Sequence, residues 1–232
     1  MPLQHQIQRI NGQTLITVPH QGKTITFVYQ RYGPGNYFDV KNSIEKAGLI
    51  TPTMAELISL VHPIFMSWKE EPEFLEIKKH ILKNGWLFGW TGNLAIPKKG
   101  VYIQDRPETK SREVLMDEPS LIKKLEAKDI TVRFVPFGFY TGEIESRFYR
   151  ALEKNSYVRA LAGEEGAEKL ADIVDKFEFK PYLFGFNSVD KPTKTVSTLI
   201  SYWCSNTIRL DISGYFDGCC KEGPAFGILK QQ

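Results

Sequence analysis

Trp86-Leu87-Phe88-Gly89-Trp90-Thr91-Gly92-Asn93 is the stretch in which the chain passes from helical to strand periodicity. Trp86, Phe88 and Trp90 alternate with Leu87 and Gly89, so period two puts three aromatics on one face of a strand over residues 86 to 90. Thr91-Gly92-Asn93 reads as a turn, with short strands following around 94 to 96 and 101 to 104. The Phe-Gly-aromatic triplet recurs at Phe137-Gly138-Phe139 and Phe184-Gly185-Phe186, and Phe226-Gly227-Ile228 is a truncated echo. In a strand, each triplet sets two side chains on one side of a sheet with bare backbone between them, where a neighbouring aromatic can lie close.

Upstream, residues 6 to 31 read as a three-stranded meander. Asn11-Gly12 is the hairpin signal between the first two strands, and Gln21-Gly22 marks the next turn. Gly33-Pro34-Gly35-Asn36 closes this unit, which gives a division into an N-terminal meander over 1–35, packed on a main domain over 36–232. Helical spacing begins after Pro52 with Met54, Leu57, Ile58, Val61 and Phe65, and Pro63 is expected to kink or stop that helix. A second helix spans about 73 to 83, its last turn rich in lysine and followed by Asn84-Gly85.

Downstream, Pro119 marks a helix start, and a strand follows at 131 to 137. Helices are expected over about 144 to 154 and 164 to 176. In the latter, Ala167, Leu170, Ala171 and Val174 face inward, and Glu164, Glu165, Glu168, Lys169 and Asp172 outward. Strands then run over about 182 to 187, 195 to 203, 207 to 213 and 225 to 229. Clustered helices and consecutive hairpins make the fold class α+β, with a mixed or mostly antiparallel sheet rather than an alternating parallel one.

Composition narrows the function classes. The 30 basic residues nearly balance 27 acidic ones with no long basic block, which disfavours nucleic acid. Three cysteines, Cys204, Cys219 and Cys220, cannot staple a chain of 232 residues, and a reducing cytoplasm is the simplest setting. The N-terminus shows no signal-peptide pattern, and apolar runs are interrupted well before the roughly 18 residues of a membrane span. The expectation is therefore a soluble cytoplasmic protein, away from membranes.

Chemistry is sparsely marked. Should the three triplet strands run side by side in parallel, Thr91, Asn93, Thr141, Glu143, Asn187 and Ser188 would gather at one sheet edge. Thr91, Asn93, Thr141 and Asn187 are then the candidate ligand-binding residues, and Glu143 the one carboxylate placed to act as general acid or base. Against this stands ordinary turn chemistry, which also uses Thr-Gly and Asn-Ser. The faces Trp86/Phe88/Trp90 and Tyr182/Phe184/Phe186 suit base stacking by spacing, but a basic rim is missing and a sheet core explains them as well. Gly163-Glu164-Glu165-Gly166 opens a helix with two carboxylates, which repel a phosphate.

His5, His20, His62 and His80 are scattered without ligand spacing, so neither a metal nor a cofactor is expected. Cys219-Cys220 reads as structural, as a reactive thiolate would need a histidine brought in by the fold. Asp105, before Arg106-Pro107, reads as a turn residue with a local partner, and Asp211 with Asp217 lacks the spacing of a calcium loop. The favoured reading is a protein that binds an unknown protein or small-molecule partner through the loops after its aromatic-glycine strands. A hydrolase or transferase using Glu143 is the alternative, and single-stranded nucleic-acid binding through Trp86, Trp90 and Tyr182 the third.

Overall fold

The computed structural model describes residues 5–67, 71–83, 85–143, 150–204, 207–216 and 222–230. The chain begins with the expected meander, β1 (Gln6–Ile10), β2 (Gln13–His20) and β3 (Lys23–Gly35), all antiparallel. Asn11 and Gly12, and Gln21 and Gly22, hold the positive φ angles that two-residue hairpin turns require. Gly33, Pro34 and Gly35 are the last residues of β3, and the Asn36 side chain caps α1 (Tyr37–Lys46) by accepting from the amides of Phe38 and Asp39. That helix lies outside the sequence expectations, although Asn36 before Tyr37, Phe38, Val40 and Ile44 is a start signal followed by an apolar stripe.

Next come α2 (Met54–Met66) and α3 (Pro72–Leu82). Pro63 does not stop α2: it lies inside the helix, which continues to Met66 although a proline there cannot donate to the Ser59 carbonyl. The remaining elements are β4 (Trp86–Ile96), β5 (Gly100–Asp105), β6 (Thr109–Lys110), β7 (Glu113–Val114), α4 (Glu118–Glu126), β8 (Val132–Pro136), β9 (Gly142–Glu143), α5 (Ala151–Lys154), α6 (Ser156–Phe177), β10 (Lys180–Leu183), β11 (Thr193–Cys204), β12 (Thr207–Phe216) and β13 (Gly223–Ile228). The fold is α+β. Its larger sheet has the order β8-β5-β4-β11-β12-β10-β9, antiparallel except for the parallel β10–β12 pair.

The meander is completed by the far end of the chain, because β13 pairs with β3 to give a smaller sheet ordered β1-β2-β3-β13. β13 also lies against β4: a Cβ on Gly223 would sit 2.8 Å from the Cβ of Trp86. Ile228 bridges to Ile50 at the other end of the strand.

Three sequence expectations need correction. Thr91-Gly92-Asn93 is not a turn, since β4 runs unbroken from Trp86 to Ile96. The turn-like composition marks an irregularity instead: Val196 faces Gly92 and Thr198 faces Phe88, so β4 sets Gly89, Trp90 and Thr91 against the single residue Ser197. There the Trp90 amide donates to the Pro52 carbonyl, and the Trp90 carbonyl accepts from the Arg106 amide. The second and third triplets are not strands either: Phe137-Gly138-Phe139 follows β8, and β10 ends at Leu183 before a 3-10 turn over Phe186–Ser188. Of the expected helix over 144 to 154, the described part is α5, residues 144–149 lying outside the described set. Finally, α6 starts earlier than expected and is broken at Gly163, whose φ is +74°.

Two apolar clusters lie on the two faces of β4. Leu87 joins the one formed with α2, α3 and α6, while Phe88, Trp90 and Leu94 join the one formed with α1 and α4. Burial on both faces explains the near-continuous apolar run of this strand. Among the triplet glycines Gly89 is the most closely packed, for a Cβ there would stand 3.1 Å from the Met54 Cα at the start of α2.

Candidate functional site

Thr91 and Asn93 are fully buried within β4, inside the sheet rather than at a loop. The Thr91 hydroxyl accepts from the Met54 amide at 3.1 Å and donates to Asp105 at 2.8 Å, tying α2 to β5. Asp105 is held in turn by the Arg133 guanidinium on β8, a partner across the sheet and not the local one expected. Asn93 donates to Thr195 at 3.3 Å and Ser197 at 3.1 Å, and accepts from the Tyr157 hydroxyl at 3.0 Å. Every hydrogen-bonding group of this amide except one lone pair is therefore committed to the fold.

The other three candidates lie elsewhere. Glu143 is exposed on the edge strand β9, four places from β4 in the sheet order, with Lys180 at 3.3 Å. Thr141 immediately precedes that strand, and Asn187 donates to the Phe139 carbonyl at 2.9 Å. Thr141, Glu143 and Asn187 thus share one end of the sheet, while Thr91 and Asn93 are internal; the parallel arrangement that would have gathered all of them does not exist. Of the aromatic faces, Phe88, Trp90 and Phe186 are buried, Trp86 is half-buried, and Tyr182 carries the Arg209 guanidinium over its ring at 4.2 Å. Cys219, Cys220, Asp217 and the Cys204 side chain lie outside the described residues. No cluster of three potential metal-ligating side chains occurs among the described residues.

A different place in the molecule is built like a site. An open groove of about 770 Å³ lies between the β2–β3 hairpin, the start of α2 and the end of β13. Ile25, Ile50, Ile228 and Leu229 form an apolar wall, and His20, Lys23, Arg106, Lys230 and Glu56 supply the polar groups. Glu56 is already neutralised: it accepts from Arg106 at 2.5 Å while capping α2 through the Thr53 amide at 2.6 Å. Arg106 is fixed further by the Thr51 carbonyl at 2.8 Å. Lys23 and Lys230 are exposed and have no carboxylate within ion-pair distance among the described residues.

Behind the groove runs a polar seam between α2 and α6. His20 Nδ1 lies 3.0 Å from Ser59 Oγ, and Lys169 Nζ lies 2.9 Å from the same oxygen and 2.9 Å from the Pro19 carbonyl. Lys169 also pairs with Glu165, which accepts from the Gln21 amide. Further along, His62 meets Asp172 at 3.4 Å. Burial pushes both imidazoles below the ordinary histidine range, in His20 against the pull of Glu56 and Glu165 and with the help of Lys169 and Arg106.

Comparison with known proteins finds no match: no family model, no curated protein and no solved structure is similar to this chain.

Periodicity hides this seam because Lys169 falls on the helix face read as solvated, yet it is 12% exposed and directed at Ser59. Ser59 and His62 on α2, and Glu165, Lys169 and Asp172 on α6, do keep i, i+3 or i+4 spacing, which is the faint signal of a polar stripe. His20 carries no such signal, for it reaches the seam from a strand.

Proposed function

We propose that this protein binds a small amphipathic anion, such as an aliphatic or aromatic carboxylate, in the groove lined by His20, Lys23, Arg106 and Lys230. The observation that carries this reading is the charge balance at the groove. Two lysines stand there without a carboxylate partner among the described residues, beside an arginine whose single carboxylate is shared with a helix cap. The isoleucine wall supports a ligand with an apolar body, because a site for a bare inorganic anion has no use for one. The volume is within the range of small-molecule sites, roughly 300–1,000 Å³. Glu143 as a general acid or base receives no comparable support, being exposed on an edge strand beside Lys180.

Isothermal titration with octanoate and benzoate, against their amides and amines, tests the proposal. The carboxylates are expected to bind and the amides and amines not to. A Lys23→Glu, Lys230→Glu double variant is expected to weaken carboxylate binding about tenfold or more, since it replaces attraction by like-charge repulsion. Equal binding of amide and carboxylate, or no binding of either, would overturn it.

A further inference from the structure

Donor and acceptor counting fixes the state in which His20 meets a ligand. Lys169 is an ammonium, with hydrogens to give and nothing to accept with. Its acceptors are the Pro19 carbonyl, a Glu165 carboxylate oxygen and Ser59 Oγ, three for its three hydrogens. Ser59 is 2% exposed, so its hydroxyl has no access to bulk water as an alternative partner. With Oγ accepting from Lys169, the hydroxyl hydrogen is left for His20 Nδ1 at 3.0 Å. A ring nitrogen that accepts carries no proton, so the proton of neutral His20 is on Nε2. Nε2 has no partner among the described residues, and the ring lines the groove.

We propose that His20 is the specificity-determining residue of the groove: a neutral imidazole, held by the Lys169–Ser59 relay in the tautomer protonated on Nε2, that donates to an acceptor oxygen of the bound anion. This rests on the groove being the ligand site. Lys23, Arg106 and Lys230 supply charge that any anion can use, whereas a single fixed N–H donor selects where the acceptor oxygen sits. The charged groups that act most on His20 are Glu56 from α2, Glu165 and Lys169 from α6, and Arg106 after β5, and Lys23 stands opposite it in the hairpin. Burial outweighs each of these charges and favours the neutral form.

Two measurements test the inference, and they fail independently of each other. In the ligand-free protein, nitrogen-15 NMR of the imidazoles at pH 8 is expected to show His20 with a protonated Nε2 and a bare Nδ1, and Ser59→Ala is expected to shift the Nδ1 resonance. In titrations with octanoate or benzoate, His20→Phe is expected to lose about tenfold or more in affinity, as for a hydrogen bond to a charged acceptor. His20→Gln, whose amide nitrogen can reach the position of Nε2, is expected to keep affinity within about threefold of the parent. A His20 protonated on Nδ1, or a His20→Phe variant that binds as tightly as the parent, would overturn the inference while leaving the groove as a site. A parent protein that binds no carboxylate would overturn both.

Discussion

Asn93 and Tyr37 are two buried polar residues with opposite consequences. Asn93 satisfies three neighbours at once, the hydroxyls of Thr195, Ser197 and Tyr157, so truncation leaves each of them without its amide partner in the core. Asn93→Ala is expected to lower stability by about 2–4 kcal/mol, read as a shift in the urea midpoint, and a loss below 1 kcal/mol would contradict the bonding described. Tyr37 is also fully buried, stacked on Trp90 with ring centroids 5.1 Å apart, yet its hydroxyl has no hydrogen-bond partner among the described residues. Tyr37→Phe removes the orphan oxygen and keeps the ring. It is expected to be neutral or to stabilise by about 1 kcal/mol in the same measurement, because the asymmetry lies in whether a buried group is left unmade.

Among the elements, α2 has the most to do. Its N-terminus is closed by a reciprocal cap, in which the Thr53 hydroxyl accepts from the Glu56 amide at 3.3 Å and the Glu56 carboxylate from the Thr53 amide. The same carboxylate holds Arg106, so the cap and the groove share one residue. Thr53→Ala is expected to cost about 1 kcal/mol, the usual worth of a side-chain cap, and to reduce thermal stability without changing the secondary structure seen by circular dichroism. Thr53-Met54-Ala55-Glu56 is the Thr-x-x-Glu pattern that announces such a start, and it stands plainly in the sequence before the apolar run. β4 illustrates the reverse. Its period-two aromatics are legible, but the break in pairing near Gly89 and Thr91 looks like a turn until α2 is seen leaning on the Gly89 backbone.

For the whole molecule, the seam between α2, α6 and β2 couples folding to pH. His20 and His62 both have folded-state pKa values below the ordinary 6.5, chiefly because burial disfavours the charged ring. As pH falls through about 6.5 the unfolded chain takes up these protons first, so the folded state loses stability from there down to the folded-state values. The depressed carboxylates Glu73 and Glu165 act lower, with stability present above the ordinary carboxylate range and lost as pH falls from that range to their folded-state values. The melting temperature is therefore expected to decline already between pH 7.5 and 5.5. A His20→Gln, His62→Gln double variant is expected to be flat over that interval, and an equally steep decline in the variant would refute the assignment.

The α+β class, the first hairpins and the aromatic face of β4 were determined by sequence alone, because each follows from a period or turn preference spanning a few neighbouring residues. Trp86, Phe88 and Trp90 do share one face, and Asn11-Gly12 does turn the chain. Long-range packing makes Thr91 and Asn93 internal ties and brings β13 to complete the first sheet. It alone brought His20, Ser59 and Lys169 together from three elements. Those contacts join residues as far as 150 positions apart, as in the bond from Lys169 to the Pro19 carbonyl. Local preference carries no information over such a distance; the packing of whole helices and strands against one another sets it.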